Sequence, residues 1–427
     1  MVHRARRKES GQIYLTVALL IVTLLACAGL ATDLGFFQNQ RRRMQSAADS
    51  AAIAGERELM AGNTSTIVSA AQNDAGINGF KDGSNQTIVT VNTPPLNGAH
   101  AGDSNAVEVI VKQPQPTFLL RVLGINSVNV ATRAAAIEGG SLDCIYALNP
   151  TAEETVAFGF GVSLFASNCG IIDDSNNQSE AMSFEIVSLV KAASFSVVGK
   201  VGSFLITLVS PKPVTGAPPV SDPFVRLQAP AVGSCDHINY QVPLIGNATI
   251  NPGVYCGGIT SPLASVGTLT LNPGTYIING GGLQFTGLAI LKNATTGGDG
   301  HGGVTFYITG NSTYPYEGLN LTGAAINSLN APTSGPYEGI LFFQDRSISN
   351  GTASAHPNTI IGVTLAKYEG VLYFPTTKLI YAGANLAAYT IIVADQIQFP
   401  LANVTYIYSD YSSLSHGNPA KAPVLAE

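Results

Sequence analysis

Charge is scarce in this chain: Asp, Glu, Lys and Arg make up 11% of its 427 residues, against about 25% in an average soluble protein. Helical cytosolic enzymes carry Glu and Lys on their exposed faces, so this composition argues against that class and for a surface of uncharged polar groups, as in many secreted β proteins. Cysteine is sparse too, at five, and without a C-x-x-C or a pair of nearby histidines a zinc site has little to be built from. A G-x-S-x-G elbow, an H-E-x-x-H helix and a P-loop are all missing, and nothing in the sequence calls for a cofactor. The larger part of the chain also lacks a basic stripe. Residues 1–140 hold 12 basic and 10 acidic side chains, whereas residues 141–427 hold 9 and 17; that acidic excess repels phosphate backbones and excludes nucleic acid as a partner.

What the chain does contain is length for two or three domains of about 150 residues each, 45 glycines, and one long apolar run. Ser10–Thr32 carries no charge, and Ile13–Thr32 is long enough, at about 1.5 Å per residue, to cross roughly 30 Å of hydrocarbon. Arg4, Arg6, Arg7 and Lys8 precede it and place the N terminus in the cytoplasm, with Arg41, Arg42 and Arg43 weakening the asymmetry. Two processing alternatives compete with a permanent span. Ala26-Cys27-Ala28 has the small residues of a signal-peptidase site, and Leu24-Leu25-Ala26-Cys27 reads like a lipobox. The sequence from Asp33 to Met60, Ala-rich and nearly free of breakers, instead continues the helix outward.

The run Gly11-Gln12, the apolar span, Gly29-Leu30-Ala31-Thr32-Asp33-Leu34-Gly35 and then Gln45-Ser46-Ala47-Ala48-Asp49-Ser50-Ala51-Ala52-Ile53-Ala54-Gly55 resembles the N-terminal domain of Tad-like (TadG-like) Flp pilus-assembly proteins. That resemblance implies a single-pass component of the tight-adherence apparatus in a bacterial cell membrane, with the membrane and other Tad/Flp pilus-assembly proteins as partners. The chain departs from true prepilins, because cleavage after Gly11 would put Thr16, not a Glu, at the fifth mature position. Residues 331–345 and 370–383, with Cys144-x-x-Ala147-Leu148 and Asp222-Pro223, are similar to the C-terminal region of some TadG-like envelope proteins.

Four parts are expected. Residues 1–61 form the Tad-like domain, with transmembrane helix 13–32 and its continuation. Residues 62–140 form a small α+β stalk: a helix over 64–77, alternating strands at 87–92, 106–112 and 128–137, and a short apolar helix at 116–123. Residues 141–234 are a β-rich region with a Pro-rich linker; within them 181–209 is apolar but interrupted by Glu185, Lys191 and Lys200, and reads as buried strand rather than a second span. Residues 235–427 are mainly β and Gly-rich. There Asn251-Pro252-Gly253-Val254-Tyr255 recurs as Asn272-Pro273-Gly274-Thr275-Tyr276, an offset of 21 residues, about one rung of a β-helix or solenoid. The irregular spacing of the later strands keeps a β-sandwich as the alternative.

Cys144 with Cys169 and Cys235 with Cys256 are the disulfide candidates, each closing a loop of about 20 to 25 residues for about 3 kcal/mol in an oxidising compartment. Four cysteines allow three connectivities, and spacing alone does not choose. Gly298–Gly303 matches G-x-G-x-x-G but precedes a strand, not a helix. Cys235-Asp236-His237 is not expected to form a dyad, because neighbours in a strand face opposite ways. The enzymatic alternative is a membrane-tethered β-helix polysaccharide lyase or hydrolase, or a carbohydrate-binding protein, with surface polysaccharide as partner. Asp299, Glu317, Glu338, Asp345, Glu369 and Asp395 are its candidate carboxylates, Lys292, Arg346, Lys367 and Lys378 its bases, and Tyr314, Tyr316 and Tyr337 its stacking platforms. This alternative rests on fold analogy; the expected function is structural or adhesive, with no catalytic, metal or cofactor site.

Overall fold

The computed structural model describes residues 10–202, 207–294, 298–322, 327–349, 355–362, 366–383, 386–400 and 402–426. Two compact units emerge, one from the chain up to Gly139 plus the residues from Ala422 onward, the other from Gly140–Lys421.

The first unit is organised by α1, Ser10–Met60, 51 residues long. Its character changes along its length. From Tyr14 to Ala28 every side chain is exposed, whereas Met44, Ala47, Ala48, Ala51, Ala52 and Leu59 are buried at spacings of three and four, one stripe of a helix. Alanine on that stripe lets a sheet approach closely, and at Gly55 even a Cβ would lie 2.9 Å from Val107 Cγ1. A second helix, α2 (Ile67–Ile77), buries Ile67, Ala71 and Ala75. The sheet is four-stranded: β1 (Ile88–Asn92), β2 (Ala106–Pro116), β3 (Ser127–Gly140) and, at the edge beside β3, the C-terminal strand Lys421–Leu425. β1 and β3 flank β2 antiparallel, with Val89 opposite Val111 and Val109 opposite Ala134. Val107, Val109 and Val111 point from β2 into the helical core, while the alternate residue Glu108, fully buried, meets Arg133 and Asn92.

Two sequence expectations shift here. The parts expected at 1–61 and 62–140 contribute to one core, in which the alanine stripe of α1 packs against α2 and the valines of β2. The 116–123 segment is a 3-10 turn, Leu120–Leu123, ended by Gly124 in the left-handed conformation.

The second unit is mostly β, with, among the described residues, a parallel, barrel-like sheet of 20 strands and a separate parallel sheet of four around one core. Through most of the unit a strand pairs in parallel not with its neighbour in sequence but with a strand farther along the chain, whereas Asn358–Ile361, Lys367–Ala382 and Thr390–Phe399 pair directly in succession. Asn247–Ile250 pairs with Thr268–Leu271, so the 21-residue offset of the Asn-Pro-Gly repeat is a strand register. Thr268–Leu271 pairs in turn with Ile290–Asn293; Gly274–Asn279 pairs with Val304–Thr309, and that strand with Ile340–Gln344. Among the described residues every pairing between the strands of this unit is parallel, the isolated bridge between Tyr389 and Ser409 alone being antiparallel, unlike the antiparallel sheets of a sandwich. Tyr255, Tyr276, Phe306, Phe342 and Phe374 stack in sequence at 5.8, 5.6, 5.3 and 6.1 Å between ring centroids.

The order of turns differs from the order of the chain. Thr390–Phe399, near the end, pairs in parallel with Asp143–Ala147 and Val156–Phe158, at the beginning (Ile392 opposite Ile145, Ile397 opposite Val156). Phe158 closes the junction, stacked between Phe399 at 5.1 Å and Phe184 at 4.8 Å. From there Gly170–Asp173, Phe195–Val197 and Val214–Thr215 extend the same ladder. Residues 141–234 and 235–421 are therefore one body with one core, not the two regions expected. The 181–209 segment supplies strands Met182–Phe184, Leu189–Ala192, Phe195–Val197 and Leu208–Ser210; residues 203–206 within it lie outside the described residues.

Candidate functional site

In the first unit the features that bear on function converge where the apolar run ends. Asp33 is the first charge after that run, and it is almost wholly buried. Its carboxylate accepts the backbone N–H groups of Phe118 (2.8 Å), Leu119 (3.1 Å) and Leu120 (2.8 Å), which are the free donors at the start of the 3-10 turn. One helical turn nearer the N terminus, Gly29 lies beneath Leu119: a Cβ there would fall 2.1 Å from Leu119 Cδ1. Phe36 packs edge-on against Phe118 at 5.2 Å. Sequence reading did not find this contact, although a lone carboxylate bordering an uncharged span requires a partner and so carried the signal.

The second unit is tied by two disulfides, Cys144–Cys169 and Cys235–Cys256, while Cys27 is free and exposed. Asp236 and His237 have separate tasks, as strand geometry requires: Asp236 accepts the Val254 N–H at 2.8 Å and His237 stacks on Tyr255 at 4.7 Å. In the Gly298–Gly303 loop, Gly303 sits at positive φ where a Cβ would meet the Ala331 carbonyl oxygen at 2.3 Å. Close backbone approach explains that glycine, and the strand Val304–Thr309 follows it directly.

The six candidate carboxylates each have a local partner. Asp299 accepts from the His301 N–H, Glu317 meets His356, Asp345 accepts from Thr309 and Ser347, Glu369 from Lys367 and Ala388, and Asp395 from Asn149. Glu338 binds His416 through both the imidazole, at 2.6 Å, and the backbone N–H, at 2.8 Å. Burial would raise the Glu338 carboxyl, but the bonds and charge of His416 outweigh it and hold it low. Two of the six, Glu338 and Glu369, border Tyr389, and with burial their charges push its phenol up. Among the described residues no three His, Cys, Asp or Glu side chains are grouped to hold a metal ion. Tyr316, expected as a stacking platform, is core, its hydroxyl buried against Asn358. Tyr337 donates to the Gln228 carbonyl at 3.1 Å.

Arg346, a candidate base, is instead a clasp for the Pro-rich linker. Its guanidinium donates to the Phe224 and Leu227 carbonyls and to the Tyr373 hydroxyl, and lies 5.1 Å from the Tyr373 ring centre. The Tyr373 hydroxyl donates to Asp222 at 2.5 Å. Burial raises the Asp222 carboxyl, opposed by the Tyr373 hydroxyl, the Phe224 N–H and the Arg346 charge. Farther along, the Val220 N–H donates to Asp174 at 2.9 Å. The linker is thus pinned to turns of the sheet that it joins.

Among known proteins, residues 11–72 match the family model described as "Putative Flp pilus-assembly TadE/G-like", a stretch that takes in nearly all of α1 and the start of α2. No curated protein and no solved structure matches the chain.

Proposed function

We propose that this Tad-type chain is a single-pass, membrane-anchored structural or adhesive component of a Flp pilus-assembly system, with its N terminus in the cytoplasm and both folded units outside. The observation that carries the reading is the division of α1. Its apolar, exposed first part has the length and hydropathy of a membrane span, and its second part, unbroken in helical phase, is the core helix of a folded unit. One rigid element therefore couples bilayer and ectodomain. The basic residues ahead of the span favour this orientation, and two disulfides suit a compartment more oxidising than the cytoplasm.

The second unit we read as a β-helix whose turns are laid down out of chain order. The support is the parallel register from turn to turn and the single aromatic-lined core. A TadG-type role for this region, as a scaffold presented to other pilus-assembly proteins or to surface polysaccharide, is part of the same proposal. The carbohydrate-active alternative would need carboxylates that share a cleft with a base; instead Arg346 is spent on the linker and Lys367 on Glu369. Crosslinking of intact membranes followed by pull-down of the full-length protein tests the proposal. Co-purification of Tad secretion components is expected, and recovery of the protein alone, with efficient crosslinking of a control complex, overturns it.

A further inference from the structure

The loop joining β2 to β3 reaches back along α1 into the depth of the apolar run. Between Tyr14 and Asn39 only Gly29 and Asp33 are buried, and both are covered by this loop. Gly29 lies three residues inside the run that ends at Thr32, about 4.5 Å along the helix axis. Leu119, seated on Gly29, is thus at the level of the run's own leucines.

The rest of the loop is unusual for a surface in water. Phe118, Leu119, Val122 and Ile125 are 52%, 47%, 78% and 45% exposed, so that Phe118 and Leu119, which touch α1 through Phe36 and Gly29 on one side, still present apolar surface outward together with Val122 and Ile125. Most of its backbone N–H groups, by contrast, find acceptors within the protein. The Phe118, Leu119 and Leu120 N–H groups go to Asp33, those of Val122, Gly124 and Ile125 to Leu119, Arg121 and Leu120 carbonyls, and Thr117 N–H to the Asn126 carbonyl. Apolar side chains facing out over self-satisfied backbone donors are what lipid demands and water does not.

We propose that the 117–126 loop is a second membrane contact, embedded at the outer boundary of the bilayer that α1 crosses. Its apolar tip meets acyl chains, at the depth of about 5–10 Å that interfacial segments reach, and Arg121 lies at the headgroups. Asp33 and Gly29 are the clamp that sets the loop's depth. The anchor is then a helix plus a wedge, which fixes the tilt and rotation of α1 in a way a lone helix does not. The proposal rests on the reading of α1 as a membrane span.

The chain contains no tryptophan, so single-Trp variants report one site each. Full-length Val122→Trp is placed in phosphatidylcholine vesicles with and without bromine on the acyl carbons nearest the headgroup. Leu20→Trp serves as the probe of the span and Leu263→Trp, at an 80% exposed site of the second unit, as the probe in water. Val122→Trp is expected to emit to the blue of Leu263→Trp and to lose most of its emission to the brominated lipid. Adding Asp33→Ala should abolish that quenching while leaving Leu20→Trp quenched by lipid brominated deeper in the chain. If Leu20→Trp is quenched and Val122→Trp behaves like Leu263→Trp, the wedge is refuted and the span stands. If neither is quenched, the span itself fails and the wedge with it. A blue shift without quenching means a protein neighbour, such as a second copy, and also refutes the wedge. Ile125→Trp is read by the same criteria if Val122→Trp does not fold.

Discussion

Replacing Asp173 with asparagine should make the second unit more stable at neutral pH and leave it nearly unchanged in acid. Asp173 ends the strand Gly170–Asp173 and is fully buried. One carboxylate oxygen accepts the Ser175 N–H at 3.0 Å, and the other, Oδ2, is buried without a partner. Burial pushes its pKa up from 3.8 to about 7, with the charge of Asp174 adding to the rise and the Ser175 N–H opposing it. A folded-state pKa above the unfolded one means that folding favours the protonated form. Below about 3.8 both states are protonated and the group costs nothing; as pH rises toward 7 the unfolded state ionises first and stability falls; above 7 the loss is constant. At about 1.4 kcal/mol per pKa unit, a rise from 3.8 to about 7 amounts to about 4 kcal/mol. Asparagine keeps the acceptor and the shape but never ionises. The assay is hydrogen exchange at the Ile171 and Ile172 amides of the full-length protein in detergent, which measures the opening free energy of that strand. The Asp173→Asn minus wild-type difference should grow between pH 4 and 8 by a few kcal/mol. A difference that is constant across that range would show that burial does not raise the Asp173 carboxyl.

Three further outcomes follow from the packing. Phe306→Ala removes a fully buried ring stacked between Tyr276 and Phe342 and should cost about 3–5 kcal/mol, whereas Leu263→Ala at an exposed corner should stay within about 0.5 kcal/mol; equal denaturation midpoints would contradict the core assignment. Thiol labelling of the denatured, unreduced protein should find Cys27 alone, and all five cysteines after reduction; four additional reactive thiols without reductant would remove both bridges. Arg346→Ala frees the Phe224 and Leu227 carbonyls and strips Asp222 of its nearby cation, so limited proteolysis should now cut within 211–236. Arg346→Lys should restore little, because an ammonium cannot span the same acceptors as a planar fork, and wild-type resistance in Arg346→Ala would show that the clasp is not what holds the linker.

What could be read from the sequence was local. The span, its helical continuation, the alternating strands of the stalk and the two cysteine couples all depend on residues close together in the chain. The Asn-Pro-Gly repeat was legible because its two copies are neighbours in space as well as in sequence, with Asn272 and Asn251 side chains bonded at 2.7 Å. What was missed depends on distant pairs. Nothing near Phe399 signals that Phe158 stacks on it, and the register between Ile392 and Ile145 joins residues from opposite ends of the unit. Later turns vary in length, from Val371 opposite Ile391 to Ser328 opposite Lys367, which hides the period a repeat search needs. The C-terminal strand Lys421–Leu425, expected within the large domain, joins the stalk sheet beside β3; its short, half-exposed sequence favours no partner over another. Asp33 is bonded to residues 85 to 87 positions away, a link that only the folded unit reveals.

The claim everything else depends on is that α1 spans a membrane and carries both folded units across it. Cells expressing the full-length protein with different epitopes at its two ends, treated with protease from outside and then fractionated, test it directly. The C-terminal epitope should be destroyed while a short N-terminal fragment stays protected in the membrane pellet. A C-terminal epitope that survives until the cells are lysed, or intact protein in the soluble fraction, would contradict it.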